Sequence, residues 1–196
     1  MTHRTRVPVA ENALQVNSAS SLNPDAGNYP ITDDPRELEA ARLAGIRCLQ
    51  EIPYVDQRYG DRGRKYTHSD GAWLATLAAC EKSAMKQVFW LGRVLAGRGM
   101  PRYVLERHLE LMVEELQRAV PDKDYSKLAE AAAELKRQRL EQIPRFDELA
   151  AGHPEGVLLV AAVADEKAGV ERSVESLLEW FTDPSALALV ERARSA

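Results

Sequence analysis

An all-α fold of about seven or eight helices in one globular domain is what the sequence predicts, on three observations. Apolar residues recur at three- and four-residue spacing in nearly every segment after Asp34, which is the period of one helix face. Prolines stand at the edges of these segments, at Pro35, Pro53, Pro101, Pro121, Pro144 and Pro184, where a helix can start or must stop. The one run that could form a buried strand, Val157-Leu158-Leu159-Val160, has no second run to pair with and continues into Ala161-Ala162-Val163-Ala164, so it too reads as helix. Short irregular connections point to globin-like orthogonal packing or an irregular bundle.

Residues 1–33 are rich in Asn, Ser, Pro and Ala without sustained periodicity, which predicts a mobile N-terminal tail ahead of an all-α domain over 34–196. Asp34-Pro35-Arg36-Glu37 reads as a capping box, with Asp34 as N-cap and Glu37 reaching back to it. Leu38, Ala41, Leu43, Ile46 and Leu49 then form an apolar face up to Glu51, and Pro53 stops the helix. After a loop, Thr67-His68-Ser69-Asp70 gives a second start signal, followed by Trp73, Leu74, Leu77, Ala78 and Cys80.

Met85, Val88, Phe89, Leu91, Val94 and Leu95 mark the next helix, which ends at Gly97 or Gly99 as a left-handed cap. Pro101 opens the longest helix, with Leu105, Leu109, Met112, Leu116 and Val120 on one side and Glu106, Glu110, Glu114 and Arg118 on the other. Helix formers from Ser126 to Ile143 predict another. Val170, Val174, Leu177, Leu178 and Phe181 precede Asp183-Pro184 and a terminal helix through Arg194.

A chain of 196 residues suits one domain, and 45% hydrophobic with 29% charged residues suits a folded one. A net charge of −4 argues against nucleic acid as a partner, since phosphate binding needs a large basic face. No run approaches the roughly 20 apolar residues of a membrane span, and Met1 to Leu22 lacks an apolar core of leader length. Cys48 and Cys80 form no CxxC pair and read as buried free thiols. We therefore expect a cytoplasmic protein with neither nucleic-acid nor membrane partners.

The stretch Arg58-Tyr59-Gly60-Asp61-Arg62-Gly63-Arg64-Lys65-Tyr66 carries four bases and one acid, a local charge of +3 in an acidic chain. Guanidinium forks match carboxylate or phosphate, and a following helix N-terminus adds donors. Arg58, Tyr59, Arg62, Arg64, Lys65 and Tyr66 are thus the expected residues of a ligand or partner loop. His108, among Val104, Leu105, Leu111 and Met112, is the candidate axial ligand if the chain carries haem or another tetrapyrrole.

Other chemistry lacks its residues. There is no Glu-x-x-His pair for a di-iron site and no zinc spacing, so no metal or cofactor is expected. Ser69 beside His68 and Asp70 holds the letters of a hydrolytic triad, but consecutive residues do not converge on one point. No phosphate loop of Walker or dinucleotide type is present.

The expectation is a non-enzymatic helical domain acting through protein contacts, as sensor, adaptor or assembly factor, with a protein partner or a second copy of itself. The alternative is a carrier of haem or of a small anionic ligand.

Overall fold

The computed structural model describes residues 17–80, 84–170 and 173–196, and within them it is all-α. The helices are α1 (Ala19–Leu22), α2 (Pro35–Glu51), α3 (Pro53–Thr76), which runs into a 3-10 turn at Leu77–Ala79, α4 (Ala84–Ala96), α5 (Arg102–Ala119), α6 (Ser126–Gln142), α7 (Phe146–Ala150), α8 (Gly156–Lys167), α9 (Ser173–Trp180) and α10 (Pro184–Ser195). Ten helices, against the seven or eight expected, reflect short elements such as α1 and α7 that span too few turns to leave a periodic signal. The only β pairing among the described residues is an isolated bridge between Ser18 and Pro30.

Helix α5 is the axis of one layer, packed between α2 and α6, with α3 lying on α2. Its Leu105, Leu109, Met112 and Leu116 are almost wholly buried, as the spacing predicts. Helix α8 is the axis of the other part, surrounded by α7, α9 and α10 and touching α5 and α6. From Leu158 to Asp165 every residue of α8 is buried, and a helix apolar all round can only be stable inside a core. The helical reading of 157–164 therefore holds.

Several local expectations resolve differently. Residues 1–16 of the expected tail lie outside the described residues. Residues 17–33 pack on the domain: Ala19, Asn23, Ile31 and Thr32 are buried, and the Tyr29 and Trp73 rings lie 6.0 Å apart. These are isolated anchoring residues without period, so no pattern announces them.

Asp34 does cap α2, accepting from the Arg36 N–H at 2.9 Å. Glu37, however, turns inward instead of completing a capping box. It accepts from the Thr32 hydroxyl at 2.5 Å and the Tyr125 hydroxyl at 2.6 Å, and pairs with Lys123 at 2.7 Å. Burial opposes its charge, but these three contacts hold its carboxyl below the usual range. The buried face of α2 is the small-residue stripe Ala40, Ala41, Ala44, Gly45 and Cys48, and Leu43 and Ile46 are 38% and 39% exposed. Close packing against α5 selects small residues over large apolar ones at this contact.

Glu106, placed on the polar side of α5 by its spacing, is buried and grips Arg139 of α6 through two bonds of 2.7 and 2.9 Å. The Arg139 guanidinium also lies 4.0 Å from the Phe146 ring centroid. Close by, Asp165 of α8 accepts from the Arg102 backbone N–H at 2.8 Å and from its Nε at 2.7 Å. Asp165 is the N-terminal cap of α5 that Pro101 itself cannot provide.

Because removing one partner of a buried pair strands the other charge, Glu106→Leu is expected to lower unfolding stability by about 3–5 kcal/mol. The double variant Glu106→Leu/Arg139→Met should regain most of it. Urea midpoints of the two variants measure the difference.

Candidate functional site

The expected basic loop is helical. Helix α3 runs through it, broken only at Gly60, whose φ of +53° and ψ of −140° are open to glycine and costly for other residues. Gly63 lets the helix resume, since a β-carbon there would stand 2.8 Å from Cβ of Tyr59. Thr67 consequently lies in mid-helix and starts nothing. The two glycines cost helix propensity, which tertiary anchoring of the neighbouring aromatic and basic residues offsets.

Arg58 is the strongest of those anchors. Its Nη1 donates to the Tyr54 hydroxyl and to the Ser176 carbonyl, each at 2.6 Å, and its Nη2 donates to Ser176 Oγ at 2.8 Å. The rings of Tyr54, Tyr59 and Trp180 surround the guanidinium at 5.6 to 5.8 Å. Arg58 therefore ties α3 to α9 and commits three of its five N–H donors to Tyr54 and Ser176. Arg64 is held by Asp56 and Asp61 at the surface. Lys65 is exposed and lies near Asp61.

The remaining residues of the stretch converge with one that sequence reasoning missed. The turn between α4 and α5 passes through Gly99, with φ +85°. Two tyrosines of α3 pin it, the Tyr54 hydroxyl donating to the Gly99 carbonyl at 2.8 Å and the Tyr59 hydroxyl to the Arg98 carbonyl at 2.5 Å. This places the Arg98 guanidinium 5.8 Å from the Tyr66 ring centroid, the same distance as Arg62. Neither guanidinium has a carboxylate within ion-pair distance among the described residues. Tyr59, Arg62, Gly63, Tyr66, Arg98 and Met100 line an open groove of about 380 Å³. The sequence signal for Arg98 was a lone charge flanked by Gly97 and Gly99, which reads first as a helix cap.

Beneath the groove, and sharing Gly63 and Met100 with it, lies an apolar cavity of about 60 Å³. Its polar wall groups are Asp70, Thr67, Cys48 and His108. His108 reaches the crossing of α2, α3 and α5, where a β-carbon on Gly71 would stand 3.6 Å from its Nε2 and one on Gly45 3.9 Å. It is wholly buried and its Nε2 has no partner. Burial lowers its pKa to about 4, so the ring is neutral at pH 7. Burial also raises the Cys48 thiol to about 12 and the Asp70 carboxyl to about 6, with Arg98 pulling the latter back. A tetrapyrrole needs a pocket of several hundred Å³, far more than the space before His108. Among the described residues no three His, Cys, Asp or Glu side chains cluster as a metal site.

Comparison of the chain with protein-family models, with curated proteins and with solved structures finds no match to any of them.

Two outcomes follow from this geometry. Arg58→Ala should lower stability by about 2 kcal/mol or more, since each hydrogen bond to a charged group contributes about 1.5–3 kcal/mol, whereas Arg64→Ala should leave the melting temperature nearly unchanged; thermal unfolding of both variants decides. Asp70 binds a proton more tightly folded than unfolded, so its contribution is present at low pH and is lost as pH rises through about 6. Asp70→Asn is therefore expected to be the more stable protein by about 2–3 kcal/mol at pH 7.5 and to lose that advantage by pH 4. His108 acts in the opposite sense, its contribution being lost as pH falls from 6.5 through about 4, so the variant should show a steeper acid decline than the parent in urea titrations across pH.

Proposed function

We propose that this chain is a non-enzymatic helical binding domain, a sensor or carrier, whose ligand is a small anion held in the groove by Arg62 and Arg98. The observation that carries this reading is the pair of guanidinium groups on one tyrosine ring with no carboxylate bound to either. Elsewhere on the chain, arginines such as Arg47, Arg64, Arg107 and Arg194 each engage two acids. Two like charges over the same ring repel each other, and an anion between them removes that cost while gaining charge-assisted hydrogen bonds. Tyr66 holds its own hydroxyl away from the groove on the Asp25 carbonyl at 3.0 Å, leaving its ring as the platform.

Asp70 is the one acid whose charge Arg98 is seen to influence, and it competes with an anion for that arginine. Free thiols at Cys48 and Cys80 support a reducing, cytoplasmic setting. A reading through protein contacts is favoured separately by exposed Leu43 and Ile46 on α2, beside an apolar groove of about 460 Å³ between α2 and α5.

Titration of the protein with a simple carboxylate, followed calorimetrically, tests the anion reading. Binding should weaken at least tenfold in Arg62→Ala/Arg98→Ala while the fold is unchanged by circular dichroism. It should also tighten from pH 7.5 to pH 5.5, because protonation of Asp70 raises the charge of the three groups from +1 to +2. Binding indifferent to both arginines would refute the site.

A further inference from the structure

The groove accounts for Arg62, Arg98 and Tyr66 but leaves the cavity below it unexplained, with a fully buried imidazole nitrogen that no group satisfies. The two spaces share the walls made by Gly63 and Met100. At Gly63 there is no side chain to close the passage, and Met100 is an unbranched, adaptable one. Past them the walls turn apolar, with Val55, Leu74, Leu91, Leu95 and Leu105.

We propose that groove and cavity are one site, taking a carboxylate on a short unbranched chain that carries a hydroxyl towards its far end. This rests on the anion-binding reading of the groove and extends it to the rest of the molecule. The carboxylate lies with Arg62 and Arg98, and the methylenes pass between Gly63 and Met100. The volume sets the length: a cavity of about 60 Å³ is several times the minimum that holds one water, which admits a few carbons and excludes a long acyl chain or a ring system. His108 sets the far group. An entirely apolar tail would bury Nε2 against carbon and leave it unsatisfied, the costly state for a buried polar atom. A hydroxyl both donates and accepts, so it suits the neutral ring whichever nitrogen holds the proton. A second carboxylate is disfavoured by Asp70 in the same wall. The Cys48 thiol, held protonated by burial, is no anion and makes no claim on the tail.

The test titrates the full chain calorimetrically with acetate, hexanoate and 6-hydroxyhexanoate. Hexanoate should bind at least tenfold more tightly than acetate, since each buried methylene contributes about fourfold, and 6-hydroxyhexanoate should bind several-fold more tightly again. Leu95→Phe, which fills the cavity from a partly buried position, should reduce hexanoate to the level of acetate and leave acetate unchanged. His108→Gln should abolish the preference for the hydroxylated acid; should that variant fail to fold by circular dichroism, Leu95→Phe alone decides the role of the cavity. Equal affinity for acetate and hexanoate, lost on removing Arg62 and Arg98, would overturn the continuous site and leave the anion groove standing. Hexanoate and its hydroxylated form binding alike would overturn the assignment to His108. Absence of binding by all three acids, or binding independent of both arginines, would overturn the groove and the extension together.

Discussion

The turn at Gly99 is the constraint on which the arrangement of this molecule depends. Its φ of +85° lies where side chains are strained, and a β-carbon there would stand 2.2 Å from Ser176 Oγ and 3.3 Å from the Tyr59 hydroxyl. Three separate parts of the chain meet at this point: the start of α3 through Tyr54 and Tyr59, the connection from α4 to α5, and α9 through Ser176. Arg58 closes the junction by binding Tyr54 and Ser176 at once. Because the tyrosine hydroxyls bond to the carbonyls of Gly99 and Arg98, the position of the Arg98 side chain follows from the junction. The groove is thus built on a crossing of three elements, which sets Arg98 over the same tyrosine ring as Arg62.

The electrostatics divide the arginines into two kinds of work. Arg102, Arg139 and Arg58 are largely withdrawn from solvent and direct several of their donors at the fold, with Asp165, Glu106, Tyr54 and Ser176 as acceptors. Such groups are costly to bury and are stable there because geometry and several hydrogen bonds offset the desolvation. Arg62 and Arg98 stay exposed and unpaired on Tyr66. Their charge is available to a ligand for the same reason that it contributes little to stability. Below them burial keeps His108 neutral and pushes Asp70 towards neutrality, so the cavity is close to uncharged at mildly acidic pH.

Helix identity and most helix boundaries were legible in the residues. Pro35, Pro53, Pro101, Pro121, Pro144 and Pro184 bracket or open the elements as their geometry requires, and α6 ends one residue before the expected Ile143. Part of the candidate site was named from the sequence too: Tyr59, Arg62 and Tyr66 line the groove, and His108 is buried against the cavity. Arg58, Arg64 and Lys65 were drawn in by the same local charge, yet Arg58 is consumed by α9 and Arg64 by Asp56 and Asp61. Local composition records how many charges a segment has and is silent on which partners reach them from elsewhere.

By itself the sequence determined that the chain is all-α, where many of its longer helices start or stop, and that the segment forming α8 is buried, because periodicity, capping and proline geometry are properties of neighbours along the chain. Only the tertiary structure decided that α3 continues through the basic stretch, that α2 buries alanines and Gly45 instead of Leu43 and Ile46, that Glu106 and Glu37 are interior, and that Arg98 joins Arg62. Each of these depends on contacts between residues distant in sequence: Glu37 with Tyr125, Glu106 with Arg139, Tyr54 with Gly99, Arg58 with Ser176. The free energy of such contacts outweighs local propensity by amounts that no pattern along the chain encodes.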